Sequence, residues 1–108
     1  MDTLKELSLK IDEFNKERDW DKFHSPVNLA KSISIEAGEL LECFQWDDKE
    51  FSIDDVKSEL ADVFSYCIQM AKVLDLDIRD IVLEKLSESA IKYPVHKAKG
   101  VSTKYDRL

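Results

Sequence analysis

Two short acidic runs hold the residues best able to do chemistry: Glu36-Ala37-Gly38-Glu39 and Glu59-Leu60-Ala61-Asp62. Residues three apart lie on one side of an α-helix, about 60° apart around its axis. Each run therefore aims two carboxylates in one direction if it is helical. Both runs sit among apolar residues at helical spacing, so the two pairs could face each other inside a bundle. Four carboxylates brought together repel and drift towards neutral forms unless a cation sits among them. Hard oxygen donors of this kind suit magnesium, manganese or calcium, not zinc or copper. The expected chemistry is a magnesium site built from two helices. Glu42 continues the spacing from Glu39, so spacing alone leaves the ligand set open.

The elements that must position these acids are helices. Two Gly and two Pro in 108 residues are too few for the turns a sheet needs. Leu4, Leu7, Ile11 and Phe14 form one apolar stripe and predict a first helix over about 3–19, with a packing role only. Ser25 can cap a second helix that starts at Pro26 and runs to about Gln45. Its stripe is Leu29, Ala30, Ile33, Ala37, Leu40 and Phe44, with Glu36 at the margin. Gly38 lowers helix propensity by on the order of 1 kcal/mol, which a close approach by a neighbouring helix or a ligand would explain, a merely tolerated glycine being the other reading. Ser52 or Asp54 can start a third helix, about 53–74, with Val56, Leu60, Val63, Phe64, Cys67, Ala71 and Leu74 inward. Glu59, Asp62 and Tyr66 share one flank of it, offset to the same side as the first acidic pair. Asp77 can cap a last helix, about 78–92, packed through Ile78, Ile81, Val82 and Leu86 and stopped by Tyr93-Pro94. Lys85, Ser89 and Lys92 recur along it as a polar stripe with two cations. The chain reads as one domain, 1–108, with a basic tail over 95–108 that could be mobile or fold over a phosphate-filled site.

Two connections carry aromatics. Trp20, Phe23 and His24 precede Ser25-Pro26, and Trp46 opens the stretch 45–52. They read either as plugs at the bundle end or as walls for a flat heterocycle, since ring faces bind bases and imidazole can recognise a ring edge.

Composition narrows the classes. Apolar residues make up 44% and charged residues 36%, as expected for a folded helical protein with wet outer faces. A net charge of −7 argues against binding a nucleic-acid polymer, which requires phosphate neutralisation. It does not exclude a small phosphorylated ligand, because a bound divalent ion reverses the local field. No apolar run approaches the roughly 20 residues of a membrane span, and no signal peptide is visible at the N-terminus. Cys43 and Cys67 read as reduced thiols in apolar surroundings, so a cytoplasmic protein is expected.

Taken together, the run Trp20-x-x-Phe23-His24-Ser25-Pro26-x-Asn28-Leu29, then Glu36-Ala37-Gly38-Glu39-Leu40-x-Glu42-x-Phe44-Gln45-Trp46, then Glu59-Leu60-Ala61-Asp62-Val63, then Lys92-Tyr93-Pro94, resembles the MazG-like all-α nucleoside triphosphate pyrophosphohydrolases. Within that family it is most similar to the branch containing the dCTP pyrophosphatases. The resemblance implies an all-α fold of four main helices in an antiparallel bundle, assembling into a homodimer or homotetramer. It implies magnesium-dependent cleavage, with manganese as an alternative, between the α and β phosphates of a nucleoside triphosphate. By position, Glu36, Glu39, Glu59 and Asp62 would hold the metal. Trp20, His24, Trp46 and Tyr66 would surround base and sugar, and Lys85, Lys92 and Tyr93 would meet the phosphates. The expected reaction is in-line attack of water on the α-phosphorus, with Glu36 or Glu39 taking the proton. One position departs: Ser89 stands where the family commonly carries Asn, and its shorter side chain reaches less far towards sugar or phosphate. An all-α dUTPase-like hydrolase and a catalytically silent helical adaptor are the competing readings.

Overall fold

A computed structural model describes residues 3–108, and those residues form helices and turns without a strand. Four main helices follow one another: α1 (Thr3–Glu17), α2 (Pro26–Glu42), α3 (Ile53–Val73) and α4 (Ile78–Lys92). A short α5 (Val95–Ala98) and two 3-10 turns, Asp21–Phe23 and Tyr105–Arg107, complete the order. The chain divides into two compact units, one ending at Leu76 and the other Asp77–Leu108. Among the described residues no helix is long and apolar enough to cross a membrane.

In the first unit α3 is the central element, packed against α2 and, less extensively, against α1. The side-chain pairings give the direction of both contacts. Asn15 meets Gln69 and Asp12 meets Lys72, so positions rising along α1 fall along α3 and the helices are antiparallel. Glu39 meets Glu59 while Glu36 reaches Asp62, which orders α2 against α3 in the same way. The helix starts follow the capping chemistry expected of them. Ser25 Oγ accepts from the Asn28 amide at 3.2 Å, with Pro26 at the first helical position. Ser52 Oγ accepts from the Asp55 amide at 3.3 Å, and Asp77 Oδ1 from the Asp80 amide at 3.0 Å.

Two helix ends differ from the periodicity. The first helix, expected to reach residue 19, stops at Glu17 because Asp19 takes a left-handed backbone (φ 55°). The Trp20 amide then donates to the Asn15 carbonyl at 2.9 Å and the Asp19 amide to the Lys16 carbonyl at 3.1 Å. This pair of bonds is a Schellman cap, with Asp in the place usually held by Gly. Asp75, also at φ 55°, ends α3 through the same two bonds from Leu76 to Ala71 and from Asp75 to Lys72. Left-handed aspartates thus do work that the chain's scarce glycines do elsewhere. The second helix, expected to reach Gln45, ends at Glu42, after which Cys43, Phe44 and Gln45 each bond three residues back.

The apolar core is thin. Among the described residues Leu29, Ile68 and Ala71 are the buried hydrophobics. Leu60 and Phe64, expected inside, are 45% and 56% exposed, because the inward face of α3 is rotated towards Glu59, Val63 and Ile68. Cys43 and Cys67 are free thiols, half-buried. Of the two readings of Gly38 the tolerated glycine fits the chain's own packing: a Cβ there would meet no described residue within 4 Å. Gly38→Ala should therefore stabilise the protein by about 1 kcal/mol through helix propensity, read as a raised melting temperature.

In the second unit, α4 leaves Ile81, Val82 and Leu86 between 38% and 59% exposed. The 95–108 segment carries ordered structure: Tyr105 lies edge-on to Tyr93 at 6.0 Å, and the Lys92 ammonium sits 4.8 Å from the Tyr105 ring centre.

Candidate metal centre

The antiparallel pairing of α2 and α3 brings all four expected acids together. One carboxylate oxygen from each of Glu36, Glu59 and Asp62 lies within 4.8 Å of the other two. Glu39 joins them by sharing hydrogen bonds with both Glu36 and Glu59. No ion pair among the described residues engages any of the four.

Crowding shows in the proton affinities. Glu36 is pushed up to about 7 by burial, then by its hydrogen bond with Glu39, then by the charges of Glu39, Asp62 and Glu59. Glu59 is also raised, first by its hydrogen bond with Glu39, then by burial and by Glu39, Asp62 and Asp55. A carboxyl–carboxylate hydrogen bond needs a proton on one partner, which is why it favours the neutral form. Even so, Glu36 Oε2 and Glu59 Oε2 are buried without a hydrogen-bond partner. An acceptor held away from water without a partner is costly. Two such oxygens, in a hard all-oxygen donor set within reach of one another, fit a divalent cation of the magnesium or manganese type.

Asp62 also lines a cleft of about 480 Å³, together with Trp20, His24 and Tyr66 from the expected set. Each wall is held in place. Trp20 is carried by the Schellman cap of α1 and packs edge-on to Phe14 at 5.7 Å. The Asn28 side chain donates to the Phe23 carbonyl at 3.0 Å, tying the 3-10 turn to α2 and setting His24 beside Tyr66. Those two rings meet edge-to-face at 6.4 Å and 85°. His24 Nδ1 is buried without a partner. The Tyr66 hydroxyl is pushed up by burial and by the charges of Glu36 and Asp62, so it stays a donor beside the acids. Metal centre and cleft are contiguous through Asp62 and Tyr66.

Trp46 is 90% exposed in the loop after α2 and lines none of this cleft. Lys85, Ser89 and Lys92 share one face of α4 in the second unit. There Lys85 pairs with Glu88 at 3.5 Å, and the Ser89 carbonyl accepts from the Tyr93 amide at 2.8 Å. The cleft also holds residues that the sequence reading left out, chiefly Asn15 and Gln69. The first helix, expected only to pack, also lends residues to the lining of the cleft. Asn15 sits four residues past Ile11, on the apolar stripe itself, and a polar residue there was the available signal.

Three comparisons bear on this arrangement. Residues 31–108 match the MazG-like family. The chain is 34% identical to dCTP pyrophosphatase 1 of Mus musculus, over 98% of this chain and 68% of that protein. It is 36% identical to dCTP pyrophosphatase 1 of Homo sapiens over the same shares. Among solved structures, a pyrophosphatase from Archaeoglobus fulgidus DSM 4304 superposes with a TM-score of 0.77 at 36% identity, covering 87% of this chain and 94% of that one.

Proposed function

This chain belongs to the MazG-like family, and we propose that it hydrolyses nucleoside triphosphates to a nucleoside monophosphate and pyrophosphate. The observation that carries this reading is the pair of orphaned, buried carboxylate oxygens in a four-acid cluster opening onto an aromatic cleft. Glu36, Glu39, Glu59 and Asp62 would hold magnesium, or manganese in its place. When bound, such an ion offsets phosphate charge and polarises phosphoryl oxygens.

The chain's own residues account for the rest. Trp20 and Tyr66 offer ring faces to the base, and His24 offers an unpaired buried nitrogen at the same wall. Glu36 or Glu39 takes the proton of the attacking water, and the hydrogen bond between them gives that proton a second acceptor. For the phosphates we assign Lys85, Ser89, Lys92 and Tyr93, and for the base Trp46 as well, on the strength of the motif resemblance. We further propose a homodimer or homotetramer. Val27, Ile35 and Leu41 on α2 are 62–72% exposed, an apolar surface that a second copy would cover. Light scattering should return a mass of two or four chains, and a monomer would refute that part.

The test is product analysis with magnesium across canonical and modified nucleotides. Expected products are pyrophosphate and the nucleoside monophosphate in equal amounts, with no turnover in excess EDTA. Release of orthophosphate instead would place the cut at a different anhydride and defeat the proposal.

A further inference from the structure

The segment after Pro94 carries Lys97, Lys99, Lys104 and Arg107 against one acid, Asp106. It folds back onto the end of α4. Helix α5 gives way to Gly100, whose left-handed backbone (φ 78°) turns the chain, and the Val101 amide donates to the Ala98 carbonyl at 3.2 Å. The closing 3-10 turn, Tyr105–Arg107, then sets the Tyr105 ring against two side chains at the helix end. Tyr93 meets it edge-to-face, ring centres 6.0 Å apart at 82°, and the Lys92 ammonium lies 4.8 Å from its centre. The Lys104 ammonium borders the same ring at 6.0 Å. All of these residues belong to one compact unit, Asp77–Leu108.

Neither Lys92 nor Lys104 makes an ion pair among the described residues, in a chain where 23 acidic residues outnumber 16 basic ones. Lys85, on the same helix as Lys92, shows the ordinary outcome and pairs with Glu88. A carboxylate partner would cancel the charge of Lys92. A ring face holds the ammonium through its quadrupole and leaves the net charge, with the donors that point away from the ring, to an anion. Tyr93 is 38% exposed, so the contact with Tyr105 steadies it without sealing it off.

We propose, resting on the phosphate contacts proposed above for Lys92 and Tyr93, that Tyr105 is the positioning residue that holds both of them ready for the triphosphate. A lysine at a helix end is long and flexible, and ordering it when a ligand binds weakens affinity. The Tyr105 ring orders Lys92 and Tyr93 beforehand, as part of folding. It touches no phosphate and takes no part in the proton transfer at the acids, which belong to the other unit. Its influence therefore falls on binding of phosphates and not on the chemical step.

Tyr105→Leu keeps an apolar side chain and removes the ring. KM for the triphosphate should rise by about 5- to 50-fold, the worth of one cation–π and one edge-to-face contact, with kcat within about twofold of wild type. Inhibition by inorganic pyrophosphate should weaken by the same factor, while magnesium raises the melting temperature as it does in wild type. Tyr105→Phe retains the ring and should bring KM back to the wild-type value. A Leu variant with wild-type KM overturns the proposal, as does one whose loss falls on kcat alone or whose helical circular dichroism is lost. A Phe variant as impaired as Leu overturns it too, since the effect would then belong to the hydroxyl. Lys92→Gln separates this inference from the reading beneath it. Raised KM in Lys92→Gln beside an unaffected Tyr105→Leu defeats the role of Tyr105 alone. Wild-type KM in Lys92→Gln defeats the phosphate contacts as well, and a wild type that releases no pyrophosphate defeats the proposed function.

Discussion

Glu36→Gln should abolish pyrophosphate release while making the metal-free protein more stable. The two effects have one cause. Glu36 is the acid on which burial and three neighbouring acids converge, and its charge is tolerated poorly without a cation. Gln keeps the shape, removes the charge, and can still donate to Glu39. At pH 8 in EDTA the variant should melt above wild type. With saturating magnesium the order should reverse, since only wild type keeps the full donor set. A ligand at about 100 times its Kd adds about 2.7 kcal/mol of stability, so the wild-type shift is readily measured. Loss of one charge-stabilising group at a reacting centre typically lowers kcat by about 100- to 1,000-fold, and loss of a ligand belongs at the upper end. A variant that gains as much from magnesium as wild type would show that Glu36 holds no metal.

The second large effect is a pH dependence opposite to ordinary acid denaturation. In the folded protein Glu36 keeps its proton to about pH 7, whereas the unfolded chain releases it near the ordinary carboxyl value of 4.5. Between those values the native state binds more protons, so linkage makes stability fall as pH rises. The contribution is fully present below about 4.5 and lost by the time pH has passed through about 7. Glu59 acts in the same direction. Asp12, lowered by hydrogen bonds with Lys16 and Lys72, and Asp47, lowered by the Lys49 and Glu50 amides, act the other way. Those two titrate below the ordinary aspartate value, outside the interval from pH 5 to 8 in which Glu36 gives up its proton. Melting temperatures in EDTA should decline across that interval, and magnesium should flatten the decline by competing with the proton. Metal-free protein that grows more stable from pH 5 to 8 would contradict the cluster as described.

Much of this was legible in the residues. Ser25, Ser52 and Asp77 announce their helices because a short side-chain oxygen before an apolar run has few other uses. The acidic pairs are legible because i and i+3 must share a side. Helix ends were harder. Nothing in Asp19 distinguishes a left-handed cap from an ordinary helix-terminal acid, and the three tight bonds after Glu42 preserve enough of the period to pass for helix. Leu60 and Phe64 have the spacing of core residues, but the inward face of α3 is set by where Glu59 must point, which depends on α2. Asn15 and Gln69 were invisible as a pair because 54 residues separate them, and only the packing of α1 on α3 makes them neighbours.

The loop between the two acidic helices is closed at its base by Phe44 against Phe51, ring centres 4.7 Å apart. Beyond that clasp, Asp47 accepts from the amides of Lys49 and Glu50, and the strip makes its own turn. Its length is thereby uncoupled from the register of α2 on α3. Extra residues spliced in at positions 48–49 should be absorbed at about 0.6 kcal/mol per doubling of the loop. A reporter peptide or affinity handle can be grafted there without disturbing the carboxylates on either side.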